Sequence, residues 1–443
     1  MSLLLISVIT LLGILLGRFI FKKWFNHLTL YCFIFGGSIF LYEIKLLPYI
    51  ELTPITWFVV ICSFLSFLFG ILTIISKRNL EKERPLIVEK SDVSLKIFSD
   101  GGRTLKYAII ILSLISLYSA YDFWKVLINQ FGSIPAVLIN SKVIYSLNVS
   151  GKLKGTIPYI ALLGYVAVFL AGIYTAYKRK FTLLTFIPLI SVILREIAGA
   201  GRVGMLMALV EFTFSFFLFR HLLNSDLIGR YKFSKANAII ASIILLVVFV
   251  GSASLVRVSR MSDTTEKFSG ASSTLMQTKE NFIISPSVYF YLSSDVGVLS
   301  MYLSSNGENT GFGQNTFLTI YTFLAKLDLV QKPQIYQKYY KNPVWTNTGT
   351  YLRELHADFG TLGILLGPFL LGLFLTWLWY RFFRTKSLIT FSFLVFLNII
   401  VGLSFFVMAT RVLYWFVTLV LVIIIIPFLE KIATLIPTKR LNN

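Results

Sequence analysis

Side chains that can bind anions or move protons lie close together near the end of a long polar segment. Arg353, Glu354, His356 and Asp358 belong to a run, YLRELHADFG, that ends at Gly360. If this run is helical, Arg353 and His356 share one face, and Glu354 and Asp358 share the neighbouring face. A histidine or carboxylate beside an anion could act as a general base. The alternative for Asp358 is that it caps the helix of the next apolar segment.

Further arginines stand where apolar segments end, a position that is costly for a charge and often functional. Arg195 and Glu196 end one segment, and Arg202 begins the next after the small-residue turn IAGAG, whose backbone can approach a ligand closely. Arg257 and Arg260 leave another segment three residues apart, on one helix face. Because the guanidinium fork fits phosphate oxygens, these arginines and the one in the YLRELHADFG run predict an anion-binding cluster. The alternative for each arginine is anchoring at the membrane interface.

Motifs of the common soluble enzymes are absent from the sequence. It contains no P-loop, no dinucleotide-binding glycine pattern, no HExxH, no CxxC, and no Asp-x-Asp of metal-dependent sugar transferases. One histidine among scattered carboxylates does not make a zinc site. We therefore expect neither a metal nor a cofactor, and arginines would have to neutralise any leaving group. Glu211, alone in the middle of an apolar segment, is expected to make a polar contact inside the helix bundle.

The composition indicates a polytopic membrane protein. Of the 443 residues, 56% are hydrophobic and only 14% are charged, against about 25% charged residues in soluble domains. The net charge of +21 is assigned to basic cytoplasmic loops and not to nucleic-acid binding. Windows of about 20 mostly apolar residues predict an all-α fold of about eleven transmembrane helices. These segments are 2–20, 28–44, 54–76, 107–128, 157–177, 181–196, 203–221, 237–256, 360–380, 387–406 and 411–429.

The basic residues also predict the orientation of the chain. With the N-terminus outside and the C-terminus cytoplasmic, the short cytoplasmic segments hold more than half of the 41 lysines and arginines. The predicted domains are a bundle of about eight helices (1–256), a large extracytoplasmic loop (257–359), and about three last helices with a cytoplasmic C-terminus (360–443). Within the loop, apolar spacing predicts an amphipathic helix lying at the membrane interface over 287–304 and a second amphipathic helix over 316–328. The loop is expected to fold back onto the bundle.

This layout resembles the Wzy-type oligosaccharide repeat-unit polymerases, whose own layout is similar to that of GT-C-like membrane glycosyltransferases. The resemblance rests on the number of spans, the large loop before the last three, Gly201-Arg202 at the start of a span, and the segment 347–363, which begins NTGTYL and ends DFGTLG. O-antigen ligases share the layout but carry a His-Asn pair shortly before the Tyr-Leu. The corresponding residues, Trp345 to Thr348, contain no histidine, which argues against a ligase.

The resemblance implies an activity and its partners. Two undecaprenyl-pyrophosphate-linked glycans meet on the periplasmic face of the bacterial inner membrane. The growing chain leaves its lipid pyrophosphate and joins a sugar hydroxyl of the incoming unit, with inversion at the anomeric carbon. The glycan is an O-antigen, a capsule or another polysaccharide, and a Wzz-type co-polymerase regulates chain length. No metal, cofactor or nucleic acid is expected.

On this hypothesis the candidate site residues fall into two groups. The candidate catalytic residues, for charge stabilisation and proton transfer, are Arg202, Arg257, Arg260, Arg353, His356 and Asp358. The candidate substrate-binding residues are Arg195, Glu196, Asn347, Tyr351 and Trp345. The alternatives are an O-antigen ligase-like transferase, and a flippase or transporter of lipid-linked oligosaccharide. Transporters usually show internal repeats with broken helices in matching halves, and the sequence shows neither.

Overall fold

The protein is mostly helical, as the composition predicts. The computed structural model describes residues 2–80, 95–149, 152–153, 155, 159–201, 203–223, 270–280, 286–305, 308 and 310–436. Within these ranges the only sheet is a two-stranded antiparallel pair. Seven of the described helices are long and apolar enough to cross a membrane, and two shorter helices are also apolar. The predicted class, an all-α membrane protein, is confirmed at this level.

The described helices follow one another along the chain from α1 near the N-terminus to α16 near the C-terminus. They are α1 (Ser2–Phe21), α2 (His27–Ile44, with a π-helical turn at Cys32–Gly36), α3 (Pro54–Leu80), α4 (Arg103–Phe131), α5 (Ile134–Ile139), α6 (Ser141–Val149), α7 (Leu162–Lys178), α8 (Leu183–Ala198), α9 (Val203–Leu223), α10 (Ser273–Glu280), α11 (Pro286–Ser293), α12 (Asp295–Ser304), α13 (Leu318–Lys326), α14 (Tyr351–Thr385), α15 (Leu388–Leu403) and α16 (Leu413–Leu435). Strands β1 (Tyr340–Lys341) and β2 (Trp345–Thr346) form the sheet.

Every predicted span but one coincides with one of these helices. The exception, 237–256, lies outside the described residues. Two of the helices, α7 and α15, are apolar but shorter than the seven that could cross a membrane by length and composition. The total of about eleven spans therefore stays a prediction.

The chain divides into two compact units. The described part of the first unit consists of residues 2–80, 270–280, 286–305, 308, 310–381 and 397–416. An aromatic cluster lies in its core, where the ring of Tyr31 stacks on Phe67 and Phe35 with centroids 4.3 and 5.5 Å apart. The hydroxyl of Tyr31 shares a hydrogen bond of 2.8 Å with that of Tyr351. This bond ties α2 to the first turn of α14, which carries the candidate site.

Glycines let the backbones of α3 and α14 approach each other closely. A side chain at Gly70 would collide with the carbonyl oxygen of Phe369, and one at Gly372 would collide with the carbonyl oxygen of Phe67. Small residues at such crossings give membrane helices the van der Waals contact that replaces the hydrophobic effect in lipid. The part of α14 around Phe369 and Gly372 is thereby fixed against α3.

The described part of the second unit consists of residues 95–149, 152–153, 155, 159–201, 203–223, 382–396 and 417–436. Its central helix is α7, which packs against α4, α8 and α9 and is buried along almost its whole length. Buried helices are apolar on all sides, and α7 shows this pattern. Gly164 makes room for the side chain of Ser116, and Gly172 makes room for that of Ser215. These two glycines allow close packing of α7 against its neighbours.

A sharp break divides α14 at Gly360. Its φ and ψ of 61° and −149° lie in a region that only glycine adopts readily. Beyond the break, side chains added at Gly363 and Gly367 would collide with the carbonyl and the side chain of Leu355. Residues eight apart in a continuous helix are about 12 Å apart along the axis, so the chain folds back on itself at Gly360. The break lies at the position where the loop was predicted to end and the next span to begin.

The large loop contains helices where the apolar spacing predicted them, but their environment differs from the prediction. The expected helix over 287–304 is two helices, α11 and α12, and Val296, Val298 and Leu299 on α12 are completely buried. These helices are therefore part of the core of the first unit and do not lie on its surface. The second expected helix, 316–328, is α13.

Candidate functional site

The guanidinium of Arg353 is completely buried, and both of its terminal nitrogens donate to protein groups. One terminal nitrogen donates to the carbonyl oxygen of Asn347 at 2.9 Å. The other donates to a carboxylate oxygen of Glu308 at 2.7 Å and to the carbonyl oxygen of Lys338 at 2.9 Å. Arg353 was predicted to bind an anion, but these contacts give it the role of an internal anchor that joins three parts of the loop.

Two tyrosine rings flank the same guanidinium. Its central carbon lies 5.5 Å from the ring centroid of Tyr302 on α12 and 5.2 Å from that of Tyr340 on β1. A cation over an aromatic face gains about 2 kcal/mol where water is excluded. These rings close the remaining sides of the Arg353 site, which fixes the positions of α12, β1 and the first turn of α14 together.

His356 lies on the same face of α14 as Arg353, as the helical spacing predicted. Nδ1 of His356 is 2.9 Å from the hydroxyl of Tyr302, and the two rings meet edge to face. The same hydroxyl donates to the backbone carbonyl of Glu308 at 3.3 Å. Burial raises the pKa of Tyr302 to about 12, so its hydroxyl keeps its proton at neutral pH.

Asp358 binds the turn that precedes α13, and it does not cap the helix that follows it. One carboxylate oxygen accepts hydrogen bonds from the hydroxyl of Thr310 at 2.6 Å and from the backbone N–H of Asn315 at 2.9 Å. The other oxygen accepts from the backbone N–H of Thr316 at 2.6 Å. These three donors hold the carboxylate against the turn, so the contacts favour a structural role over a role as general base.

Glu354 shares its helix face with Asp358, and Arg411 joins the two acids. A terminal nitrogen of Arg411 lies 3.7 Å from a carboxylate oxygen of Glu354 and donates to the side-chain oxygen of Asn315 at 3.1 Å. The backbone N–H of Asn315 binds Asp358. Arg411, which was not among the predicted site residues, therefore holds the carboxylate face of α14 against the turn before α13.

A cavity of about 910 Å³ opens beside this cluster, within the first unit. His356 and Asp358 are among its polar lining residues, together with Tyr302 and Glu308. Apolar residues that follow the break in α14 line it as well, among them Leu362, Leu366 and Leu370. Successive members of this set are four residues apart, so they form one stripe on the helix. The cavity therefore joins a polar pocket to an apolar groove along a helix that could span a membrane.

The predicted substrate-binding residues of the first unit occupy three different environments. Tyr351 is buried in the aromatic core, and its backbone N–H donates to the carbonyl oxygen of Ser404 at 3.0 Å. Asn347 accepts a hydrogen bond from Arg353 with its backbone carbonyl oxygen. Trp345 on β2 is 64% exposed, and its side chain is the most open of the three.

Arg195 and Glu196 end α8 in the second unit, and each contacts protein groups there. The guanidinium carbon of Arg195 lies 3.6 Å from the ring centroid of Phe123. Glu196 is buried, and its carboxylate occupies the space that side chains at Gly201 and Gly204 would need. The small-residue turn was predicted to admit a ligand, but in the structure it admits the carboxylate of Glu196.

Three of the predicted catalytic arginines, Arg202, Arg257 and Arg260, lie outside the described residues. Among the residues that line the cavity in the described chain, none is a lysine or arginine. The anion-binding half of the site therefore stays a prediction.

Glu211 was expected to make a polar contact. It is completely buried, and neither carboxylate oxygen has a hydrogen-bond partner among the described residues. No group of three or more potential metal ligands occurs in the described chain.

Tyr302, Glu308 and Arg411 complete the polar cluster, and none of them was predicted from the sequence. Their contacts with the 353–358 segment join residues 45 to 57 positions apart in the chain, which no local pattern can indicate. The one available signal was Arg411, an arginine directly before an apolar segment, the same feature that identified Arg202.

No family model matches the chain, and neither a curated protein nor a solved structure matches it.

Proposed function

We propose that the protein is a membrane glycosyltransferase that polymerises oligosaccharide repeat units carried on undecaprenyl pyrophosphate. The observation that carries the proposal is the cavity of about 910 Å³, which places a half-buried histidine beside an apolar groove. A substrate that is apolar at one end and polar at the other fits such a cavity. The stripe of Leu362, Leu366 and Leu370 suits the prenyl chain, and the pocket at His356 suits the sugar.

His356 is the best general base among the residues named as candidates. Asp358 is occupied by three donors, and the carboxylate of Glu196 is enclosed between glycines. Nε2 of His356 has no hydrogen-bond partner in the described part of the chain, and the residue lines the cavity. A general base contributes typically about 10²- to 10⁴-fold to the rate.

The proposed reaction follows from these groups. Nε2 of His356 takes the proton of a sugar hydroxyl on the incoming unit as that oxygen attacks the anomeric carbon of the growing chain. The bond from this carbon to the pyrophosphate breaks, and the lipid pyrophosphate leaves with the bonding electrons, which inverts the anomeric carbon. Arg202, Arg257 and Arg260 are proposed to stabilise the charge of the leaving group. Trp345 is proposed to contact the glycan.

The finer features of the proposal concern the membrane. We place the protein in the bacterial inner membrane with about eleven spans, an extracytoplasmic N-terminus and a cytoplasmic C-terminus. The loop that carries the candidate site then lies on the periplasmic face, where lipid-linked units would arrive. A Wzz-type co-polymerase is the proposed partner for chain-length control, and no nucleic acid is involved.

Incubation of the purified protein with lipid-pyrophosphate-linked repeat units tests the proposal. A ladder of products on a gel is the expected result. Transfer that requires a lipid A acceptor would replace the proposal by a ligase. Transbilayer movement of the substrate without any new glycan would replace it by a flippase.

A pair of variants tests whether the groove holds the prenyl chain. Leu366→Trp should fill the groove and raise KM for the lipid-linked substrate. Leu365→Trp is the matched control, because Leu365 is also exposed on α14 but does not line the cavity. Equal KM values for the two variants would contradict the placement of the lipid in this groove.

A further inference from the structure

We infer that Tyr302 is a positioning residue that fixes the imidazole of His356 in one tautomer, with the hydrogen on Nδ1 and Nε2 free to accept one from a hydroxyl group. The hydrogen-bond geometry within the first unit carries this assignment. Its chemical meaning rests on the proposed function, in which an acceptor hydroxyl must lose its proton.

The assignment follows from counting hydrogens. The hydroxyl of Tyr302 has one hydrogen and contacts two groups, the carbonyl oxygen of Glu308 at 3.3 Å and Nδ1 of His356 at 2.9 Å. A carbonyl oxygen only accepts, so the hydroxyl must donate to Glu308 if that bond is made. The bond to His356 then needs a hydrogen from Nδ1. In a neutral imidazole, both bonds form only in the Nδ1–H tautomer.

An ion pair with a buried arginine holds the side chain of Glu308, the residue whose carbonyl accepts from Tyr302. The side chain of Glu308 accepts a hydrogen bond of 2.7 Å from Arg353, which is itself completely buried and bound to two further carbonyl groups. The ring of Tyr302 packs against the same guanidinium. Arg353 therefore fixes both the carbonyl and the tyrosine that together determine the hydrogen on His356.

The tautomer decides which chemistry the cavity can support. With Nδ1 protonated, Nε2 is a lone pair that can accept the proton of a sugar hydroxyl, as a general base must. The opposite tautomer would present an N–H, which donates to an anion and cannot take a proton. Tyr302 thus prepares His356 for the first step of the proposed reaction without contacting the substrate.

Nitrogen NMR of the protein labelled with ¹⁵N-histidine tests the assignment without any substrate. The chain has only three histidines, so the signals that disappear in the variant His356→Gln are those of His356. The expected spectrum shows a protonated Nδ1 and a bare Nε2 at neutral pH. In Tyr302→Phe the acceptor for Nδ1–H is lost, so the population of the Nε2–H tautomer should rise until it is comparable to that of the Nδ1–H tautomer.

Tyr340→Phe is the matched control. Tyr340 is the other ring that flanks Arg353, and its hydroxyl binds Ser305 at 3.1 Å and not His356. This variant should leave the tautomer of His356 unchanged. A wild-type spectrum with Nε2 protonated would overturn the inference, and so would an unchanged tautomer in Tyr302→Phe. If Tyr302→Phe does not fold, the wild-type spectrum alone decides.

Kinetics separate this inference from the proposed function. Residues that orient metal-binding histidines are worth about 10- to 100-fold in activity, and we expect a comparable fall of kcat in Tyr302→Phe with KM little changed. If the spectra are as expected and no glycan ladder forms, the tautomer assignment holds and the glycosyl transfer proposal fails. If the ladder forms and the spectra are not as expected, the role of Tyr302 fails and the glycosyl transfer proposal survives.

Discussion

Replacing Gly360 by alanine should destabilise the protein by backbone strain alone. Nothing lies within 4 Å of the position that the new methyl group would take, so no steric collision contributes. The φ of 61° and ψ of −149° would cost alanine about 1–3 kcal/mol. Alanine also restricts the unfolded chain more than glycine does, which stabilises the folded state by about 0.4–1 kcal/mol. The expected net loss of stability is therefore between about 0 and 2.6 kcal/mol, with a midpoint of about 1.3 kcal/mol.

Gly37→Ala is the matched control for this substitution. Gly37 also has open space around it, but its φ of −62° and ψ of −39° are ordinary helical values. Alanine is favoured over glycine in a helix by about 1 kcal/mol, so this variant should be as stable as the wild type or more stable. Thermal unfolding of both variants in detergent measures the difference. Equal midpoints for Gly360→Ala and Gly37→Ala would refute the fold-back at Gly360.

Two further predictions concern a buried acid and the predicted anion site. Burial holds the pKa of Asp295 well above its ordinary value of 3.8, although a hydrogen bond from Thr348 and the charge of Arg353 oppose this, so the folded state favours the protonated acid. Its stabilising contribution is complete below about pH 3.8 and is lost as the pH rises toward the folded pKa. Asp295→Asn, which resembles the neutral acid, should therefore unfold at a higher temperature than wild type at pH 8 but not at pH 4, and a constant difference would contradict this. Arg202→Ala should abolish chain growth in a protein that still inserts, and Arg202→Lys should restore only part of it, because lysine lacks the bidentate fork. Normal polymerisation by Arg202→Ala would remove the anion site from the account.

Hydropathy and helical spacing were enough to predict the long apolar helices of the described chain and the two faces of the 353–358 segment. Arg353 and His356, three residues apart, both contact Tyr302. Glu354 and Asp358, four residues apart, are linked through Arg411 and Asn315. This part of the site depends only on the geometry of one helix, which the sequence determines locally.

The roles of individual residues could not be predicted in the same way. An arginine that binds phosphate and one that anchors a loop look alike in sequence, and only the distant partners of Arg353 distinguish them. Glu308 lies 45 positions away from it in the chain, and Arg411 lies 96 positions away from Asn315. The burial of α12 was missed for a related reason: its apolar residues meet partners from other elements, and a helical pattern does not show whether those partners are lipid or protein.

The central claim is that His356 is the general base of a glycosyl transfer reaction, and the elongation rate of His356→Gln tests it most directly. The purified variant, with lipid-pyrophosphate-linked repeat units as substrate, should elongate about 10²- to 10⁴-fold more slowly than the wild type. His221→Gln, the same substitution on α9, is the control and should elongate normally. Elongation by His356→Gln at the wild-type rate would contradict the account.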